Sequence, residues 1–198
     1  WGFFHDSVIS SSASLLQNKN LIREASFPHY FIPLSITLAN LVNFLPSLFI
    51  IIICAFFVLK GLSFYIIFLP LVLFLHFAIT AGLSVIFAIL YVRWRDVKYL
   101  LEAVLLFLFY LTPVFYPLEA VKGSFPVGIF KLYILNPFVG ILNLYRLTLL
   151  KGFYSQIQNY ATFLNLIGTP FIFAILILLV AFFYYAKQKN TINDYLAY

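Results

Sequence analysis

Three long apolar runs, residues 34–59, 64–91 and 164–186, contain no charged side chain. A stretch of about 20 apolar residues is long enough, as a helix, to cross the hydrocarbon core of a bilayer. Only helices and closed barrels satisfy their own backbone polar groups there, so runs of this length read as membrane helices. Composition agrees: 9% of the 198 residues are charged and 64% are hydrophobic, against roughly 25% charged in soluble domains. The expected fold class is an all-α integral membrane protein. The net charge of +6 does not point to nucleic acid. Its basic residues are scattered at the ends of apolar runs, whereas a nucleic-acid binder gathers them on one face. They suit retention on the cytoplasmic side and contact with anionic headgroups.

A fourth span is expected over residues 100–114. It belongs to the stretch RWRDVKYLLEAVLLFLFYLTPVFYP, residues 93–117. Here a charged cluster (Arg93, Arg95, Asp96, Lys98) opens into an apolar run that stops at Pro113 and Pro117 with aromatics between. Basic residues mark the cytoplasmic surface and aromatics the interface. Proline at membrane depth needs protein or water to satisfy the freed backbone. The stretch therefore reads as a helix entering from the cytoplasm and breaking near the far surface, where something passes or is gated.

Elsewhere the apolar pattern is interrupted. Residues 3–17 are half apolar and carry Ser10–Ser12 and Ser14, small residues that let membrane helices approach closely. This segment reads as the end of a span packed inside the protein. Residues 18–33 break the pattern: Asn18 or Asn20 can cap a short helix that Pro28 stops, with Leu21, Ile22, Ala25 and Phe27 beside Lys19, Arg23 and Glu24. Such an amphipathic helix suits an interface or a groove on a soluble partner. Asn40, Asn43 and Pro46 turn one side of the first clear span toward other helices, and Lys60-Gly61 forms a tight turn after it. Residues 117–160 mix prolines, glycines and single lysines. Within them Asn136 suits an N-cap, Pro137 a first turn and Gly152 a C-terminal stop, so a re-entrant or surface-lying helix pair is expected. The absence of any methionine, even at position 1, reads as an N-terminus that continues upstream.

Placing Lys19, Arg23, the 93–98 loop and the tail inside puts seven basic residues on the cytoplasmic side and five outside, at higher density in the short inner loops. No phosphate loop, metal-ligand spacing or nucleophile motif occurs, so no catalytic or metal-ligating residue is assigned and no cofactor is expected in this chain. His76 reads as a hydrogen-bonded packing residue, Cys54 as a small hydrophobe, and Glu102 as an interfacial carboxylate within reach of Lys98. The aromatics around Phe109–Tyr116 suit a lining role, since aromatic faces stack on sugar rings as well as on each other.

Several segments occur together in an order that resembles a family. They are Trp1–Phe4, Asn18–Pro28 (N-x-x-L-I-R-x-x-x-F-P), Arg95-Asp96, Thr112–Pro117 (T-P-V-x-Y-P), Asn136-Pro137 and Asp194–Leu196. The set resembles the permease subunit of ABC-2 type exporters, in the branch that exports O-antigen, capsular polysaccharide and teichoic acid. The resemblance implies a six-span helical bundle, with its N-terminal part outside this sequence, working as a homodimer in the bacterial cytoplasmic membrane. On that template residues 3–17 end span two, and 21–28 form the helix that couples to a separate ATPase subunit. Spans three to six fall at 34–59, 64–91, 100–114 and 164–186. Residues 117–160 become short re-entrant extracytoplasmic gate helices, and 187–198 a cytoplasmic tail. It also implies that ATP and Mg reside on the partner ATPase. Coupling would fall to Leu21, Ile22, Arg23, Glu24, Phe27 and Pro28, where Glu24 dilutes the basic charge usual in the family. Arg93, Arg95, Asp96 and Lys98 would lie at the cytoplasmic mouth, either to attract the diphosphate of a lipid-linked glycan or to set topology alone. Thr112, Pro113, Phe115, Tyr116, Pro117, Asn136 and Pro137 would form the outer gate. A drug or small-lipid permease of the same family, or a membrane scaffold without transport, are the alternatives.

Overall fold

The computed structural model describes residues 1–24, 28–157 and 163–197. The helices run in order: α1 (Gly2–Ser12), α2 (Ser14–Gln17), α3 (Lys19–Glu24), α4 (Phe31–Val58), α5 (Leu69–Arg93, led in by a 3₁₀ turn at Phe64–Phe68) and α6 (Val97–Leu111). Then follow α7 (Leu118–Ser124), α8 (Val127–Ile134), α9 (Pro137–Leu149), α10 (Phe153–Ile157) and α11 (Phe163–Ala197). Among the described residues, three stretches are long and apolar enough to cross a membrane: Phe31–Val58, Phe64–Arg93 and Asn165–Lys189. The protein is an all-α integral membrane protein.

Several boundaries differ from the sequence expectation for physical reasons. Helix α4 starts at Phe31 and not after Pro33, because proline is tolerated in the first turn, where its missing N–H has no intrahelical partner anyway. It ends where Lys60 (φ 50°) and Gly61 (φ 137°) enter the left-handed half of φ space. There the Gly61 N–H reaches back to the Phe56 carbonyl at 3.1 Å, the long-range bond of a Schellman stop. Helix α6 has 15 residues, about 22 Å at 1.5 Å per residue, short of the ~30 Å core of a bilayer. Its expected extension to Val114 is lost because the chain leaves helix at Thr112, ahead of Pro113. Helix α11 runs on through the polar tail to Ala197, which contains no proline or glycine to stop it.

The chain divides into two compact units. The first comprises residues 1–44, 77–108 and 174–198. In it four of the five serines of α1 and α2 are sealed: Ser7, Ser11, Ser12 and Ser14 are fully buried, while Ser10 is exposed. The Ser11 hydroxyl donates to the Pro33 carbonyl at 3.2 Å and lies 3.4 Å from the Thr37 hydroxyl. Small side chains thus bring α1 against the start of α4, and Phe3 stacks on Phe44 at 5.8 Å. A second close approach is at Gly82 on α5, where a Cβ would lie 2.6 Å from Ile177 Cγ2 on α11. Leu15, Ile22, Ile32, Val85, Ile89 and Ala181 form this unit's apolar cluster.

The second unit comprises residues 45–76 and 109–173. Its centre is α9, which buries Phe138, Val139, Ile141, Leu144 and Leu147, with Val72, Leu118, Val121 and Leu166 packed into the same cluster. The Asn136 side chain accepts the Phe138 N–H at 3.0 Å and Pro137 fills the first turn. These are the residues that helix-start chemistry favours. Helices α8 and α9 meet at a 72° bend. Two side chains tie α9 down. Ser63 Oγ donates to the Leu147 carbonyl at 2.8 Å. His76, buried on α5, shares a 3.2 Å hydrogen bond with the Tyr145 hydroxyl.

Candidate functional site

The sequence points to three places, and the structure gives each a different character. Around the first, α3 turns neighbouring residues opposite ways. Ile22 is buried in the cluster with Leu15, Ile32 and Val92, whereas Leu21 is 49% exposed. Pro28 is exposed, and its carbonyl accepts the Phe31 N–H at 3.1 Å as α4 begins. Arg23 and Glu24 belong to α3 by their backbone, but their side chains, like the whole of Phe27, lie outside the described residues. His29 follows, its backbone N–H donating to the Tyr185 hydroxyl at 3.2 Å. Burial holds the His29 imidazole below its usual pKa, since the charged form loses hydration.

At the second place, Arg93 closes α5, and Arg93, Arg95 and Asp96 are all exposed. The Arg93 guanidinium sits 4.8 Å over the Trp94 ring, a cation–π contact that fixes its direction without neutralising it. Asp96 is the residue before α6, and its carbonyl accepts the Tyr99 and Leu100 N–H groups at 3.1 and 3.3 Å. Lys98 is half-buried, and among the described residues no ion pair joins it to Glu102. The loop therefore presents exposed positive charge at the end of an apolar helix.

The third place is the α6 exit, residues 112–117. Thr112 is fully buried and its hydroxyl donates to the Phe109 carbonyl at 3.1 Å. The Val114 N–H folds back to the Thr112 carbonyl at 2.7 Å, making a tight turn at Pro113. Phe115 projects outward, 80% exposed, with its ring edge-on to Phe109 at 5.2 Å. The Tyr116 hydroxyl donates to the Tyr110 carbonyl at 2.9 Å and lies 3.2 Å from the Tyr133 hydroxyl. Pro117 precedes α7 in extended conformation.

One residue holding this exit is not among those the sequence singled out. Arg146, in the last turn of α9, donates through Nη2 to the carbonyls of Pro113, Val114 (3.2 Å) and Tyr116 (3.3 Å). Nothing in the sequence flags it, because these partners lie 30–33 residues away. Beside the exit, Tyr110, Tyr116, Tyr133, Phe125, Ser124 and Ile129 line a cleft of about 430 Å³. Its lining is mainly apolar and aromatic, with the Ser124 hydroxyl and the paired Tyr116 and Tyr133 hydroxyls among it, so it suits the apolar face of a bound molecule more than its polar edge. Among the described residues no three His, Cys, Asp or Glu side chains gather to hold a metal.

Helices long enough to span a bilayer, a charged loop at one helix end and a helix pair bent by 72° after a proline-ended helix define a polytopic membrane protein. The chain belongs to the ABC-2 type transporter family, whose model matches residues 2–150. It is similar to the O-antigen export system permease protein RfbA of Myxococcus xanthus, 25% identical over 146 residues, 74% of this chain and 55% of that protein. It is also similar to two Klebsiella pneumoniae proteins of the same name. Each is 28% identical over 63% of this chain and 49% of the relative's length. The chain spans about half the length of the curated relatives it matches.

Proposed function

We propose that this chain is the permease of an ATP-driven exporter moving a lipid-linked polysaccharide, such as O-antigen, capsule or teichoic acid, across the bacterial cytoplasmic membrane. The observation that carries the reading is the similarity to O-antigen export permeases over as much as 74% of the chain. Geometry supports a division of labour. A separate ATPase subunit, with ATP and Mg, docks on the segment around Leu21–Pro28, where Leu21 offers an exposed apolar contact. Its closure shifts the helices of a permease homodimer between two arrangements, which works only if ATP binding favours one of them. The exposed guanidinium groups of Arg93 and Arg95, with Lys98, attract the diphosphate of the lipid carrier on the cytoplasmic side. The Tyr110–Tyr116–Tyr133 cleft offers stacking faces to sugars at the outer end, and residues 112–137 close that end.

The test is purification of the full-length protein from its native membrane, with copurifying proteins identified by mass spectrometry. A stoichiometric soluble ATPase that is released when residues 21–28 are scrambled is the expected result. Recovery without any ATPase, in detergents that preserve transporter complexes, refutes the coupling and favours a scaffold. An ATPase stimulated by small lipids or drugs but not by a polyprenyl-diphosphate glycan refutes the polysaccharide reading alone.

A further inference from the structure

Arg146 sits on a firmly anchored helix, α9. Asn136 caps the start of α9, Ser63 and the His76–Tyr145 pair fasten its middle and end, and Leu144 and Leu147 lie in the core. The segment it grips is the opposite kind of structure. Residues 112–117 form no helix or strand, Pro113 and Pro117 supply no N–H, and the turn's carbonyls are left to find donors elsewhere. One guanidinium serves three of those carbonyls. Bonds from a charged donor are about twice as strong as neutral ones, and the cost of leaving such acceptors dry rises with burial. The grip also orients Tyr116. Its carbonyl is bound by Arg146 while its hydroxyl meets Tyr110 and Tyr133, so both ends of the residue are fixed.

We propose that Arg146 is the latch of the outer gate: a positioning residue that holds the α6 exit turn against α9 in the closed arrangement and releases it when the exit opens. The proposal rests on the export reading for what the gate passes, though not for the existence of the latch. Its chemistry suits repeated release. The same carbonyls can exchange a guanidinium for water at an opened, wetted exit, so no buried acceptor is stranded in either state. The contacts converge on the single nitrogen Nη2; a lysine at 146 keeps the charge but ends one bond short of that position, so it holds the turn less well.

The test uses the full-length permease with its copurifying partner, reconstituted in phosphatidylethanolamine–phosphatidylglycerol vesicles, with wild type, R146K and R146Q compared. The first readout is leak of an entrapped anionic dye without ATP. Loss of the two charge-assisted N–H donors of Nη2, shared among three carbonyls, shifts the closed–open balance by roughly tenfold, so R146Q leaks about that much faster and R146K falls between. The second readout survives a misfolded R146Q. Spin labels at Phe115 and Lys151, both exposed, report the turn-to-helix distance in wild type and R146K. One narrow distance is expected at rest, with a longer population appearing in R146K and in wild type when transport is driven. Equal leak in wild type and folded R146Q, or one unchanged distance under every condition, overturns the latch. A wild-type protein that exports no glycan, while R146Q still leaks faster than it does, sinks the export reading and leaves the latch standing.

Discussion

Replacing Gly140 with alanine tests whether α9 truly lies as close to α11 as the structure has it. A Cβ at 140 would sit 2.7 and 2.9 Å from the ring carbons Cγ and Cδ of Pro170, and 3.0 Å from the Leu166 carbonyl oxygen. Neither neighbour can step aside cheaply, since one is a closed ring inside a helix and the other is backbone. Overpacking of this kind costs about 1–3 kcal/mol, and contact with rigid groups puts Gly140 in the upper half of that range. Alanine returns up to about 1 kcal/mol of helix propensity, so the net is a destabilisation of about 1–2 kcal/mol. Gly168, inside α11 with nothing within 4 Å of its would-be Cβ, supplies the control. There the same substitution keeps the propensity gain and is expected to stabilise by about 0.5–1 kcal/mol. The assay is the apparent Tm of the purified protein in detergent, followed by light scattering and size-exclusion recovery. At about 2–4 °C per kcal/mol for a chain of this size, Gly140→Ala falls by about 2–8 °C while Gly168→Ala rises by about 1–4 °C. A Gly140→Ala variant as stable as Gly168→Ala would refute the close approach and with it the argument that α9 is rigidly seated.

Further outcomes follow from the same kind of reasoning. Asn136→Ala removes the acceptor for the Phe138 N–H and should lower stability by about 1 kcal/mol, while Asn136→Asp keeps it, by the same Tm assay. Ile22→Ala empties a buried site and should cost about 2–4 kcal/mol. Leu21→Ala, its exposed neighbour, should leave Tm within about 0.5 kcal/mol yet weaken recovery of the ATPase; the reverse pattern would refute the outward-facing surface. His29 titrates below its ordinary value because burial disfavours its charge, so the unfolded chain takes up its proton first. Stability from this group is complete above the unfolded pKa of about 6.5 and declines as pH falls from there through the folded value. His29→Gln should flatten that part of the pH–stability curve, which an unchanged slope would contradict.

The contrast between Asn136 and Arg146 shows why some of this architecture is legible in the sequence. Asn136-Pro137 can be read directly because a helix start is chemistry among neighbours: a side-chain acceptor, a fixed φ and an N–H two residues on. Lys60-Gly61 is of the same kind. The end of α6 is legible only in part, since the tight turn at Thr112–Val114 depends on how the two prolines are accommodated. Ile22 and Leu21 look alike in sequence, and only packing makes one core and the other surface. Gly140 and Gly168 are likewise indistinguishable until α11 is laid beside the first.

By itself, the sequence determined that this chain crosses a membrane, that it is all helix, and where its charged loop and the capped start of α9 fall. Each of those depends on hydrophobic length, net polarity or contacts within a few residues. Tertiary structure decided which side of α3 is free to meet a partner, that α9 is clamped to Pro170, and that one arginine gathers the carbonyls of a turn more than 30 residues away. Hydrogen bonds and close packing between distant segments carry no local signature. A donor's partner is chosen by the fold that brings it within about 3 Å.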